Sequence, residues 1–250
     1  MDEKDSLLQL KDIIAQCDKL CAAGDAKKVG EFLRMHLERV RQAGDRFTEL
    51  SLLSELMGHY RLVSDRENAL DCAVKAVALL NDLRQTDTVS GGTIMLNAAT
   101  VFQAFGNNDM AEKYYHAAWD VYRKLLEEDD WRFAGLYNNM ASVYIAKGDF
   151  WRAENLYLEA LDLMNSYGRI MDCATTYANL AQLSIRKNAR FDMIQAYLDC
   201  AMQCFNNPAA ARDGYYAHTC GKCAEVFFMA GRESDGEELL ARMEEIYAAN

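Results

Sequence analysis

The stretch AGLYNNMASVYIAKGDFWRAENLYLEAL, from Ala134 to Leu161, restricts the possible fold more than any other part of the chain. Small or aromatic apolar residues recur at helical spacing in Tyr137, Met140, Ala141 and Tyr144. Gly148-Asp149 interrupts them, and Phe150, Ala153, Tyr157, Ala160 and Leu161 resume the same period. A glycine supplies the left-handed residue that ends one helix, and the aspartate after it can cap the next. The stretch therefore predicts a helical hairpin. Related hairpins start near Leu10, Leu50, Gly92, Ala174 and Ala217, giving six pairs at a period of about 40 to 43 residues. A unit of this kind cannot bury its apolar face alone, so the period itself predicts stacking.

Composition agrees with an all-α chain. Pro208 is the single proline, and no run of alternating β-branched residues interrupts the helical pattern. A formal charge of −11 opposes binding to nucleic acid, which depends on clustered Lys and Arg releasing counterions from phosphates. The N-terminal MDEKDSLLQLKDII is acidic and amphipathic, and no apolar run is long enough to cross a bilayer, so a soluble cytoplasmic protein without membrane contact is expected. The eight cysteines are scattered through helical patterns and read as reduced, mostly buried thiols.

The 134–161 unit resembles the tetratricopeptide repeat: an aromatic, then Met-small, then Tyr, then Gly-Asp-aromatic, Ala, Tyr and Ala-Leu. The long period is similar to the repeats of kinesin light chains and of bacterial peptide-pheromone receptors. KLLEEDDWRF, between the third and fourth pairs, shows where extra residues go. The resemblance implies a single domain over residues 1–250, a right-handed superhelical solenoid of about six hairpins. The first pair, with Gly24-Asp25 at its turn, is divergent. The second replaces the turn glycine with Ser64 but keeps Asp65 as a cap. The fifth turn, KNARFD, holds one extra residue. SDGEELLARMEEIYAAN, with its Glu-rich face, is expected to close the last pair as its own cap; the alternative is packing against a second copy, a homodimer through terminal helices.

In such repeats the first helices line a concave groove. The resemblance places Asn97, Asn139 and Asn179 at one equivalent groove position, with Asn138 beside the second. Asparagine offers one acceptor and two donors, so three in register suit the backbone of an extended peptide; the alternative for each is a bond to a neighbouring helix. Arg61, Gln103, Ser142, Gln182, Arg186 and Lys222 complete the expected peptide-binding set, with Glu55 and Thr100 near it. The carboxylate clamp of chaperone-tail binders is not reproduced, since Leu96 and Thr100 stand where it has Lys and Asn.

His218, Cys220 and Cys223, in HTCGKC, have a spacing seen in metal and redox sites, but no second CxxC accompanies them and the cysteines fall at packing positions. A thiol- or metal-dependent enzyme is the remote alternative. No phosphate loop, HExxH or nucleophile elbow occurs, and Glu127 to Asp130 read as a solvated charge run. The sequence thus predicts a non-catalytic module without cofactor or metal, binding a protein or peptide. A peptide-signal receptor acting through a partner protein is the nearer alternative.

Overall fold

The computed structural model describes residues 3–22 and 26–249. Among them are twelve α-helices and no strand: α1 (Glu3–Ala22), α2 (Ala26–Ala43), α3 (Arg46–Leu62), α4 (Arg66–Asp82), α5 (Val89–Ala104), α6 (Asn108–Leu125), α7 (Arg132–Ala146), α8 (Phe150–Ser166), α9 (Ile170–Arg186), α10 (Phe191–Phe205), α11 (Gly214–Met229) and α12 (Glu233–Ala248). The expected all-α hairpin architecture is present. Gly24 and Asp25, the expected first turn, lie outside the described residues. The chain divides into two compact units, one ending at Glu128 and the other beginning at Asp129. The division falls inside the acidic link that the sequence marks as an insertion.

One turn design recurs within the pairs. After α3, α5, α7 and α11 the chain closes with a bond from the first residue past the turn to a carbonyl five residues back. These are Asp65 N to Tyr60 O at 2.8 Å, Asn107 N to Phe102 O at 2.8 Å, Asp149 N to Tyr144 O at 2.9 Å and Arg232 N to Phe227 O at 2.9 Å. The residue in the middle must take positive φ. Gly106, Gly148 and Gly231 do so without strain, whereas Ser64 does so at φ 59°. Asp65, Asn107 and Asp149 then accept the backbone N–H of the third residue on, the N-cap role expected of Asp65 and Asp149. The fifth turn spans residues 187–190 against three residues in the others, so the extra residue read from KNARFD is there. Asn188, at φ 50°, takes the glycine's place.

Each unit is held by alanines that let helices approach closely, with aromatics between them. Ala98, Ala99, Ala111 and Ala118 are fully buried in the first unit beside Tyr115 and Tyr122; Ala141, Ala153 and Ala160 are fully buried in the second beside Tyr157. In α12, Leu239 is buried, and Leu240, Met243 and Ile246 pack against a core shared with α9, α10 and α11. Its Glu237, Glu238, Glu244 and Glu245 are exposed. Asp130 departs from the solvated reading of the charge run. It accepts from the Arg132 backbone at 2.9 Å and from the Arg132 guanidinium at 2.8 and 2.7 Å, which starts α7 and holds the Asp130 carboxyl below its ordinary value.

Candidate functional site

The register of the first helices is fixed by burial. In α5, Asn97 precedes the buried Ala98-Ala99; in α7, Asn139 precedes Met140-Ala141; in α9, Asn179 precedes Leu180-Ala181. The three asparagines are therefore equivalent by position, and each is half-buried rather than sunk in the packed layer. At the same place α3 carries Glu55, before Leu56-Met57, and α11 carries Lys222, before Cys223-Ala224.

Within each unit hydrogen bonds organise this position in a way the sequence does not announce. In the first unit Asn97 Nδ2 donates to Ser54 Oγ at 3.0 Å. In the second, Asn179 Nδ2 donates to Asn138 Oδ1 at 3.3 Å. Both bonds join one residue before the equivalent position in one repeat to the equivalent position in the next. Asn138 is itself fixed, its Nδ2 donating to the fully buried Thr176 hydroxyl at 2.8 Å, which in turn donates to the Asp172 carbonyl at 2.8 Å. Asn139 has no such bond to Thr176 or Asn179. Ser54 and Thr176 were outside the sequence-derived set, because their part depends on the register between helices some forty residues apart.

The other expected residues fall into two groups. Gln103 accepts from the Tyr115 hydroxyl at 2.7 Å, and Ser142 lies against the Tyr157 hydroxyl; burial raises both tyrosines, and nearby Arg61 and Arg186 work against that in their respective units. Gln182 reaches Met229 Sδ at 3.9 Å, a weak contact between α9 and α11. Arg61, Arg186 and Lys222 are exposed. Glu55 is exposed as well, but its carboxyl lies against the protein and is pushed above its ordinary value, first by desolvation and then by Asp18, an effect that solvent contact keeps small.

Cys220 and Cys223 are buried at 0% and 1% exposure, and burial pushes their thiols up to about 11 and about 12. That is the environment of packing thiols. Cys17, Cys72 and Cys173 are likewise buried, and Cys200 and Cys204 half-buried; Cys21 is exposed. All eight cysteines are free.

Two depressions escaped the sequence reading. One of about 520 Å³ in the first unit lies at the helix ends, among Leu10, Phe47, Leu50, Leu80, Leu83 and Ile94. One of about 390 Å³ in the second is lined by Ile185, Ala189, Phe191, Ile194 and Met229. Phe191 is 70% exposed, and Trp151 on α8 is 73% exposed. No described helix is long and apolar enough to cross a membrane.

Residues 90–166 match the family model of the tetratricopeptide repeat. That segment carries tetratricopeptide repeats. Solved structures place the remaining hairpins in the same fold. A Rap protein complexed with Competence and Sporulation Factor superposes with a TM-score of 0.69 at 12% identity, over 99% of this chain and 66% of that one. NprR in complex with its cognate peptide NprX gives 0.62 at 16% identity, over 97% and 67%. A putative kinesin light chain of Podosopora anserina, with nearly identical TPR-like repeats, gives 0.54 at 16% identity, over 86% and 97%. These likenesses show the fold, and with it the long-period repeat type expected from the sequence. No curated protein matches the sequence.

Proposed function

We propose that the chain is a non-catalytic binding module which takes an extended peptide, or a disordered segment of another protein, on the first helices within each unit. The observation that carries this reading is the repetition of one carboxamide at one half-buried position, Asn97, Asn139 and Asn179. Where Asn97 and Asn179 bond to the preceding repeat, the bond takes one of two N–H groups. Oδ1 and the second N–H remain, which together match the C=O and N–H that an extended residue presents on one side. Gln182, Arg186 and Lys222 in the second unit, and Arg61 and Gln103 in the first, supply side-chain selectivity. Two of the superposed proteins are peptide or factor complexes by their own description, which supports the reading at the level of fold. The thiols are too deeply protonated for the enzymatic alternative to gain support from them.

The test uses a displayed random 12-residue peptide library selected on the whole chain. Enriched peptides are expected to bind the Asn97→Ala, Asn139→Ala, Asn179→Ala triple variant at least tenfold more weakly, with the thermal midpoint nearly unchanged. Equal binding to both proteins sinks the reading, and a loss of helicity in the variant shows that the asparagines serve the fold.

A further inference from the structure

We infer that Ser54 and Asn138 are positioning residues, which hold the Asn97 and Asn179 carboxamides so that each turns its oxygen toward an incoming backbone N–H. The inference rests on the proposed function and adds to it a chemical requirement on the ligand. An asparagine side chain on a helix surface rotates about its terminal bond, and its oxygen and nitrogen ends are nearly the same shape. Left alone it offers a backbone either end. Here each carboxamide has a neighbour that accepts from its nitrogen end.

In the second unit the shortest contacts order the chain of bonds from the interior outward. The Thr176 hydroxyl has one hydrogen, and the Asp172 carbonyl 2.8 Å away is a nearer acceptor for it than Asn138 Oδ1 at 3.2 Å or Met164 Sδ at 3.4 Å. The hydroxyl oxygen must then accept, and Asn138 Nδ2 donates to it at 2.8 Å. With its nitrogen turned inward, Asn138 presents Oδ1 to the next repeat, where Asn179 Nδ2 donates at 3.3 Å. Asn179 is left with Oδ1 pointing away from its tether. The first unit reaches the same result with a shorter side chain, since Ser54 Oγ accepts from Asn97 Nδ2 at 3.0 Å. Two unlike residues at one register position, both used as acceptors, point to a shared role.

The consequence is that Asn97 and Asn179 lead with an acceptor. A ligand residue facing either one must carry a backbone N–H, so proline or an N-methylated residue is excluded there.

The test is NMR on the uniformly ¹⁵N-labelled chain, with a backbone-only probe: N-acetyl, C-amidated (Gly-Ala)₃, and the same hexapeptide N-methylated at alternate residues. In the free protein, Asn138→Ala is expected to move the side-chain amide signals of Asn179 and leave those of Asn97 in place, while Ser54→Ala does the converse. The hexapeptide is expected to perturb both amide pairs. Asn138→Ala should weaken that titration at Asn179 by about tenfold, the size of one lost hydrogen bond. Asn138→Ser copies the first unit's arrangement and should restore it. The N-methylated hexapeptide should lose binding to the unmodified chain. Asn179 signals indifferent to Asn138→Ala, or full binding of the N-methylated probe, would overturn the inference. If the free-protein shifts occur but the unmethylated hexapeptide leaves both amide pairs untouched, the tether stands and the backbone-binding reading falls with the ligand requirement drawn from it.

Discussion

Arg242 Nη1 donates to the buried hydroxyl of Tyr216 at 2.9 Å, joining α12 to α11. The same guanidinium reaches the Phe205 carbonyl at 3.3 Å and Asn206 Oδ1 at 2.6 Å, and it pairs with Glu238 one turn back on its own helix. Gly236 and Leu239 of α12 are buried outright, Leu240, Met243 and Ile246 are partly buried against the same core, and the guanidinium adds polar anchorage to them. Arg242 side-chain exposure is 14%, deep enough for these bonds to exceed the usual surface value. Arg242→Ala is therefore expected to destabilise the chain by about 2 kcal/mol in urea unfolding. Tyr216→Phe should cost less, because the Phe205 carbonyl keeps Arg242 as a partner. Equal stability of Arg242→Ala and the unmodified protein would show that α12 is held by its apolar face alone.

A close approach inside the first unit gives a second prediction. A Cβ on Gly92 would lie 2.7 Å from Tyr122 Cε1 and 3.3 Å from Val121 Cγ1. The ring cannot simply swing aside, since the Tyr122 hydroxyl sits 2.8 Å from Thr93 Oγ1 and the residue is 2% exposed. Gly92→Ala should cost about 1–3 kcal/mol despite alanine's better helix propensity. Gly135, inside α7 with nothing within 4 Å of its notional Cβ, is the control: Gly135→Ala should stabilise by up to ~1 kcal/mol. Thermal melts of both variants decide whether packing or propensity governs each site.

Most of the fold is legible in the sequence because the repeat writes its packing rules into residue size. Alanine pairs such as Ala98-Ala99 mark where helices touch, and glycines such as Gly148 mark where they end. Ser64 and Asn188 are harder to read, since their left-handed backbone is imposed by the hairpin around them and not by their own preference. The candidate site is legible only in part. Equivalence of Asn97, Asn139 and Asn179 follows from the residues after them, which any single repeat displays. The bonds of Asn97 to Ser54 and of Asn179 to Asn138 join residues 43 and 41 positions apart, and they exist only once neighbouring hairpins have stacked.

The thiols provide a third prediction. Burial pushes Cys17 and Cys173 up to about 12, and Cys72 and Cys204 up to about 11, alongside Cys220 and Cys223. At pH 8 each of these is almost wholly the unreactive thiol, while Cys21 is exposed. Brief treatment of the folded chain with iodoacetamide, followed by peptide mass spectrometry, should find Cys21 alkylated first. Rapid modification of Cys220 or Cys223 would reopen the case for reactive thiol chemistry at HTCGKC.

Glu55 gives a prediction about pH with a definite sign. It occupies on α3 the position that Asn97 holds on α5, and desolvation, with Asp18 adding to it, raises its pKa on folding. A carboxyl whose folded pKa lies above its unfolded one favours the folded chain fully while it is protonated in both states. That contribution is lost as pH rises from the unfolded value through the folded one, because the unfolded chain then sheds a proton that the folded chain retains. At neutral pH the ionised carboxylate is the form that the fold disfavours. Glu55→Gln, which keeps the shape and removes the charge, should raise stability at pH 7 and change it little at pH 3.5. Asp18→Asn should move stability at pH 7 in the same direction by a smaller amount, since Asp18 contributes less than desolvation does. Urea unfolding of the three proteins at both pH values is the measurement. A Glu55→Gln variant less stable at pH 7 than the unmodified chain would show that the carboxylate is held by a favourable partner, and that this position is matched to a cation.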